Sequence, residues 1–127
     1  RRDMLNVKDG EKTEALPLMQ ELLSYGRAHS DIVILEGIMY ADWYEPLFRQ
    51  AARLYGAEVY AYYFDLPFEE TLRRHQTKPN CGEFGEEAMR RWWREKDFSP
   101  VLKEKSITSE KELQDIVGEI CGEVLAC

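Results

Sequence analysis

The sequence predicts a parallel α/β fold of three layers, and three observations predict it. Residues 32–35 (IVIL) form a continuous run of branched apolar side chains, the pattern of a strand covered on both faces. Residues 58–65 (EVYAYYFD) form a second run, rich in Val, Tyr and Phe and suited to a pleated surface. Helical patterns separate these runs from each other and from a short third candidate, "SIT" at 106–108, so that parallel βαβ units follow.

Residues 1–7 read as helix, and "KDGEK" is a turn punctuated by Asp9-Gly10. Thr13 caps the next helix, whose stripe is Leu16, Met19, Leu22, Leu23 and Gly26. Pro17 falls in its first turn, where a missing N–H costs little, and the helix ends around His29. After the strand at 32–35, a helix over 43–55 buries Tyr44, Leu47, Phe48, Ala51 and Tyr55, and Gly56 stops it. Pro67 opens another helix, with Glu69 and Glu70 in the first turn and Arg73 and Arg74 near the last, an order that complements the helix dipole. A Pro- and Gly-containing loop, "QTKPNCGEFG", leads to a helix over 86–96, "EEAMRRWWREK". Ser109 and Glu112 are spaced as a capping box for the closing helix, whose stripe is Leu113, Ile116, Val117, Ile120 and Val124. Repeats, low-complexity segments and linkers are absent, so residues 1–127 read as a single domain. Two clear strands make a thin sheet, and strands of the buried type need neighbours on both sides; the domain is therefore expected to be incomplete.

Composition narrows the function classes. A hydrophobic content of 44% supports a core, and a net charge of −7 argues against nucleic acid or an anionic membrane as the main partner. The sequence contains neither an apolar run of membrane-spanning length nor a signal-peptide pattern. Three cysteines, Cys81, Cys121 and Cys127, lack metal-site spacing and read as reduced thiols of a cytoplasmic protein. Charge is uneven. Residues 1–72 hold seven basic and thirteen acidic side chains, 73–105 hold nine and six, and 106–127 hold one and five. The locally basic insert at 73–105 reads either as a solvated helical face or as a site for small anions such as phosphates.

Both clear strands end in acids, Glu36 and Asp65, and parallel sheets place ligands at the carboxyl ends of their strands. A strand fixes such a carboxylate, and Gly37 lets a substrate approach the backbone. The alternative is plain termination of a strand by a polar residue. Tyr40, Trp43 and Tyr44 either line a pocket or pack a helix face. His29 and His75 have no spaced partners and read as surface residues.

"FDLPFEETLRRHQTKPN" followed by "FGEEAMRRWWREKD" resembles the P-loop small-molecule kinases, in which a strand ends at Asp-x-Pro and a helix carries arginines into a lid. "IVILEG" is similar to their Walker B strand, and "RRDML" to the segment beside their acceptor pocket. The resemblance spans nearly the whole chain and lies nearest the uridine kinase-like or zeta toxin-like bacterial ATP-binding proteins. It implies a three-layer parallel-sheet P-loop kinase-like fold, with 73–105 as a lid-like insert. It also implies ATP and Mg2+ as cofactors of the full-length protein, and a small-molecule acceptor such as the alcohol of a nucleoside or sugar. By position, Glu36 would be the catalytic base or the acid that orients magnesium through a water. Arg2, Asp3, Gly37 and Tyr40 would face the acceptor, and Arg74, Lys78, Arg90, Arg91 and Arg94 would be the lid cations. On a helix, Arg90 and Arg94 share a face and Arg91 points about 100° away. Of the adjacent Trp92 and Trp93, one is expected to pack inward and the other to face a purine or solvent.

The chain departs from that family in one respect. None of its eight glycines is followed by Lys-Ser or Lys-Thr, so the G-x-x-x-x-G-K-[ST] loop does not occur in the 127 residues. The first strand and phosphate loop are therefore expected to be missing, and the chain alone is expected to be inactive and to bind neither cofactor tightly. The alternative is a non-catalytic truncated paralogue that acts as a binding or regulatory module, oligomeric through unpaired sheet edges. A toxin-like partner protein is a third option, from the zeta toxin side of the resemblance alone.

Overall fold

The computed structural model describes residues 8–126. These fall into two compact units: the described part of Arg1–Val59 with Phe98–Lys103, and Tyr60–Asp97 with the described part of Glu104–Cys127. The helix read over residues 1–7 lies outside the described residues.

The first unit is built on two helices, α1 (Ala15–His29) and α2 (Glu45–Tyr55). The N-cap of α1 is Glu14, which makes no side-chain cap bond, one residue after the expected Thr13; Thr13 is buried beside it, and its Oγ1 accepts the Ala15 N–H at 3.2 Å. Ser30 turns extended (φ −135°, ψ 140°) and stops the helix at the expected residue. Gly56, at φ 55°, ends α2, and Pro46 lies in its first turn, where it removes no helix bond. The core is Leu23, Tyr44, Leu47, Phe48 and Ala51, with Leu16, Met19, Val33 and Val101 among the half-buried residues around it. Buried Gln50 is satisfied: its Nε2 donates to Gln20 O at 2.9 Å and to Ser24 Oγ at 2.8 Å, which ties α2 to α1. Leu22, expected in the stripe, is exposed instead.

Residues 32–35 correct the strand expectation. They pair with no other segment among the described residues, and Ile32 and Ile34 are 50% and 83% exposed. An apolar run becomes a strand only where a neighbouring segment accepts from its N–H groups and donates to its C=O groups. Here only Val33 finds a packing surface, against Gly26 of α1.

The second unit holds a two-stranded parallel sheet, β1 (Tyr62–Phe64) and β2 (Lys105–Ile107), in the register Tyr62 to Lys105, Tyr63 to Ser106 and Phe64 to Ile107. The parallel arrangement and the short third strand follow the sequence expectation. β1 is shorter than the run at 58–65: the 3-10 turn Gly56–Glu58 takes the run's first residue, and β2 offers only Lys105–Ile107 as partners, so Tyr62–Phe64 alone are paired. Helices α3 (Phe68–Gln76) and α4 (Glu86–Trp92) lie along the crossover, and α5 (Leu113–Leu125) follows β2. The capping box does not form: Glu112 is the N-cap of α5 and no side chain caps the helix. Of the α5 stripe, Ile116 is buried while Leu113 is 69% exposed and Val117 is also exposed. Tyr62 donates its hydroxyl hydrogen to Glu123, and Lys105 pairs with the same carboxylate, fastening α5 to both strands.

No described helix is long and apolar enough to cross a membrane. Cys81 and Cys121 are free and exposed.

Candidate functional site

In the first unit, Glu36 is exposed and has no ion-pair or hydrogen-bond partner among the described residues. Gly37 adopts φ +146°, a conformation that side-chain-bearing residues rarely take, so the backbone after Glu36 requires glycine. Tyr40 is half-buried and meets Trp43 edge-on at 4.6 Å. Tyr44 is a core residue rather than a pocket wall. Its hydroxyl donates to Asp9 Oδ1 at 2.7 Å, and burial followed by that carboxylate pushes its pKa up to about 12. Beside the 32–35 segment lies an open hollow of about 140 Å³ lined by Met19, Leu22, Leu23, Val33, Ile34 and Leu35. None of these side chains is polar, so the hollow has nothing that would fix an alcohol. Arg2 and Asp3 lie outside the described residues.

The second unit holds Asp65 and the basic insert. Asp65 follows β1; its N–H donates to Ile107 O at 2.9 Å, and its carboxylate holds Lys96 Nζ at 2.7 Å, which raises the lysine's pKa. Three of the five expected lid cations have partners. Arg74 Nε lies 2.7 Å from Glu70, which also binds Arg73, and the two guanidiniums draw that carboxyl down to about 2, with Arg73 first. Arg90 pairs with Glu86 at 2.7 Å and sits 4.3 Å above the Phe68 ring. Arg94 does not share its face. α4 stops at Trp92, Trp93 is extended (φ −69°, ψ 131°), and Arg94 lies beyond the helix, 3.9 Å from Asp97. The helix read over 86–96 is thus four residues shorter, its last turn being spent on the exit toward Asp97. Lys78 and Arg91 are exposed and unpartnered among the described residues. Glu70 and Glu86 stand three or four positions before the arginines they engage, a signal present in the sequence, but Glu87 stands four before Arg91 as well and does not engage it, so spacing alone would not have separated the two groups.

The tryptophans divide as expected: Trp93 is half-buried edge-on to Phe68, and Trp92 is exposed beside Phe84. His29 is exposed, stacked on Tyr25. His75 corrects its expectation, being only 5% exposed, because Phe84 covers its ring at 4.4 Å and its Nε2 lies 3.0 Å from Phe84 O.

Among the described residues, no three His, Cys, Asp or Glu side chains come together as a cation site. No protein-family model, curated protein or solved structure matches the chain.

Proposed function

We propose that this chain supplies the acceptor and lid side of an ATP-dependent small-molecule kinase, with the phosphate loop contributed by sequence other than these 127 residues. The observation that carries this reading is the crossover. β1 and β2 are parallel, Asp65 stands at the carboxyl end of β1, and the connection between them bears all five lid cations. Lys78 and Arg91, free of carboxylates among the described residues, are the two that remain for a phosphate. Glu36, exposed and followed by a glycine-only turn, accepts the proton of the attacking hydroxyl or holds a magnesium-bound water. A single carboxylate is a donor set that Mg2+ accepts when phosphate oxygens and waters complete its octahedron. ATP supplies the phosphoryl group when bound.

Calorimetric titration of Mg-ATP tests the proposal. The 127-residue chain is expected to bind nothing, and a longer gene product carrying G-x-x-x-x-G-K-[ST] is expected to bind. Micromolar binding by the 127-residue chain overturns the divided-site reading, and a gene without that motif overturns the kinase reading. In the longer product, Glu36→Gln should lower kcat by about 100-fold or more.

A second reading, a non-catalytic binding module that self-associates, draws on exposed Ile32, Ile34, Leu35 and Ile38. A monomer in size-exclusion chromatography across a wide concentration range would exclude it.

A further inference from the structure

The basic insert reads as a lid, yet its contacts describe a closed clasp. The first residue of α3, Phe68, is buried against Trp93 (5.5 Å, interplanar angle 76°) and lies beneath the Arg90 guanidinium at 4.3 Å. At the far end of α3, His75 lies parallel to Phe84 (4.4 Å, 19°), and Trp92 meets the other ring's edge at 5.2 Å. A carbonyl oxygen only accepts, so at 3.0 Å from Phe84 O the His75 Nε2 carries the hydrogen. This bond spans nine residues and closes a loop that is itself a chain of turns: Cys81 N–H donates to Lys78 O, and Glu83 N–H to Asn80 O, each at 3.1 Å. No other side chain of the loop is buried, so the latch falls on one ring.

We propose that residues 68–93 form one preassembled hairpin, closed at one end by Phe68 with Trp93 and Arg90 and latched at the other by His75 on Phe84. Lys78, on the latched loop, and Arg91, on α4, are then carried on one closed hairpin, which opens only when the His75 latch is released. The inference does not use the kinase reading and holds for any anion-binding or purely structural insert.

Amide hydrogen exchange followed by NMR on the 127-residue chain tests it. His75→Ala removes a ring pair and a hydrogen bond, so exchange at Cys81, Glu83 and the α4 amides should accelerate about ten- to a hundredfold. The α1 amides should keep their rates. His75→Phe retains the ring without the donor, and His75→Gln the donor without the ring; each should give an intermediate acceleration. Unchanged exchange at Cys81 and Glu83 in His75→Ala overturns the latch, and equal acceleration in α1 reduces His75 to a general stability residue. Should His75→Ala fail to fold, the unaltered chain decides: Cys81, Glu83 and α4 must share one denaturant-dependent opening, and separate openings overturn the proposal.

Discussion

Gly26 offers a prediction whose sign depends on one neighbour. On an exposed helix, Gly→Ala stabilises by about 1 kcal/mol, because alanine loses less backbone entropy on folding. Gly26 lies inside α1 but is buried, and a Cβ there would stand 2.6 Å from Val33 Cγ2 and 3.4 Å from Cγ1. The first distance is far inside van der Waals contact, and Val33 is stiff at χ1, so relief requires the 32–35 segment to shift. Overpacking of this kind costs about 1–3 kcal/mol. Set against the helix gain, Gly26→Ala should be net destabilising by about 1 kcal/mol. Val33→Ala removes both Cγ atoms and leaves only Val33 Cβ, at an ordinary 3.6 Å. In that background, Gly26→Ala should change sign and stabilise by about 1 kcal/mol, a coupling of about 2 kcal/mol across the cycle. Urea unfolding followed by circular dichroism measures all four chains. Equal effects of Gly26→Ala in both backgrounds would show that Val33 does not pack there, and that the segment leading to Glu36 is not set by α1.

Leu47 is 0% exposed, so Leu47→Ala should cost about 2–5 kcal/mol, read from the urea midpoint at constant slope. Glu70 has its pKa lowered from 4.5 to about 2, chiefly by Arg73; its contribution is present above 4.5 and lost as pH falls toward 2, so acid unfolding of Glu70→Gln should be flatter through that window. Tyr44 and Tyr62 are raised from 10.0 to about 12 by burial, then by Asp9 and Glu123 respectively. Their contribution is present below pH 10 and lost toward 12, so ultraviolet titration at pH 11 should find both still protonated; full ionisation of all seven tyrosines there would contradict the fold around them. Tyr44→Phe should cost about 1 kcal/mol and return no other change in the near-ultraviolet spectrum than the lost chromophore.

The sequence by itself determined where helices form and several of their ends, though not the end of α4 or the cap of α5. The end of α1 at His29, the stop of α2 at Gly56 and the opening of α3 after Pro67 are all set by groups within a turn of each other. Such caps and dihedral preferences act locally, so they are legible in a single stretch of chain. The parallel pairing of β1 with β2 was legible as well, because a helical crossover leaves few other arrangements. Tertiary structure decided the rest. Whether 32–35 becomes a strand depends on a partner, and whether Lys78 or Arg74 is free depends on which carboxylate lies near it. His75 and His29 look alike in sequence, yet Phe84 buries the first while the second stays exposed against Tyr25. Strand pairing, burial and charge pairing are properties of two segments at once, and a one-dimensional pattern specifies each segment without saying which other segment it will meet.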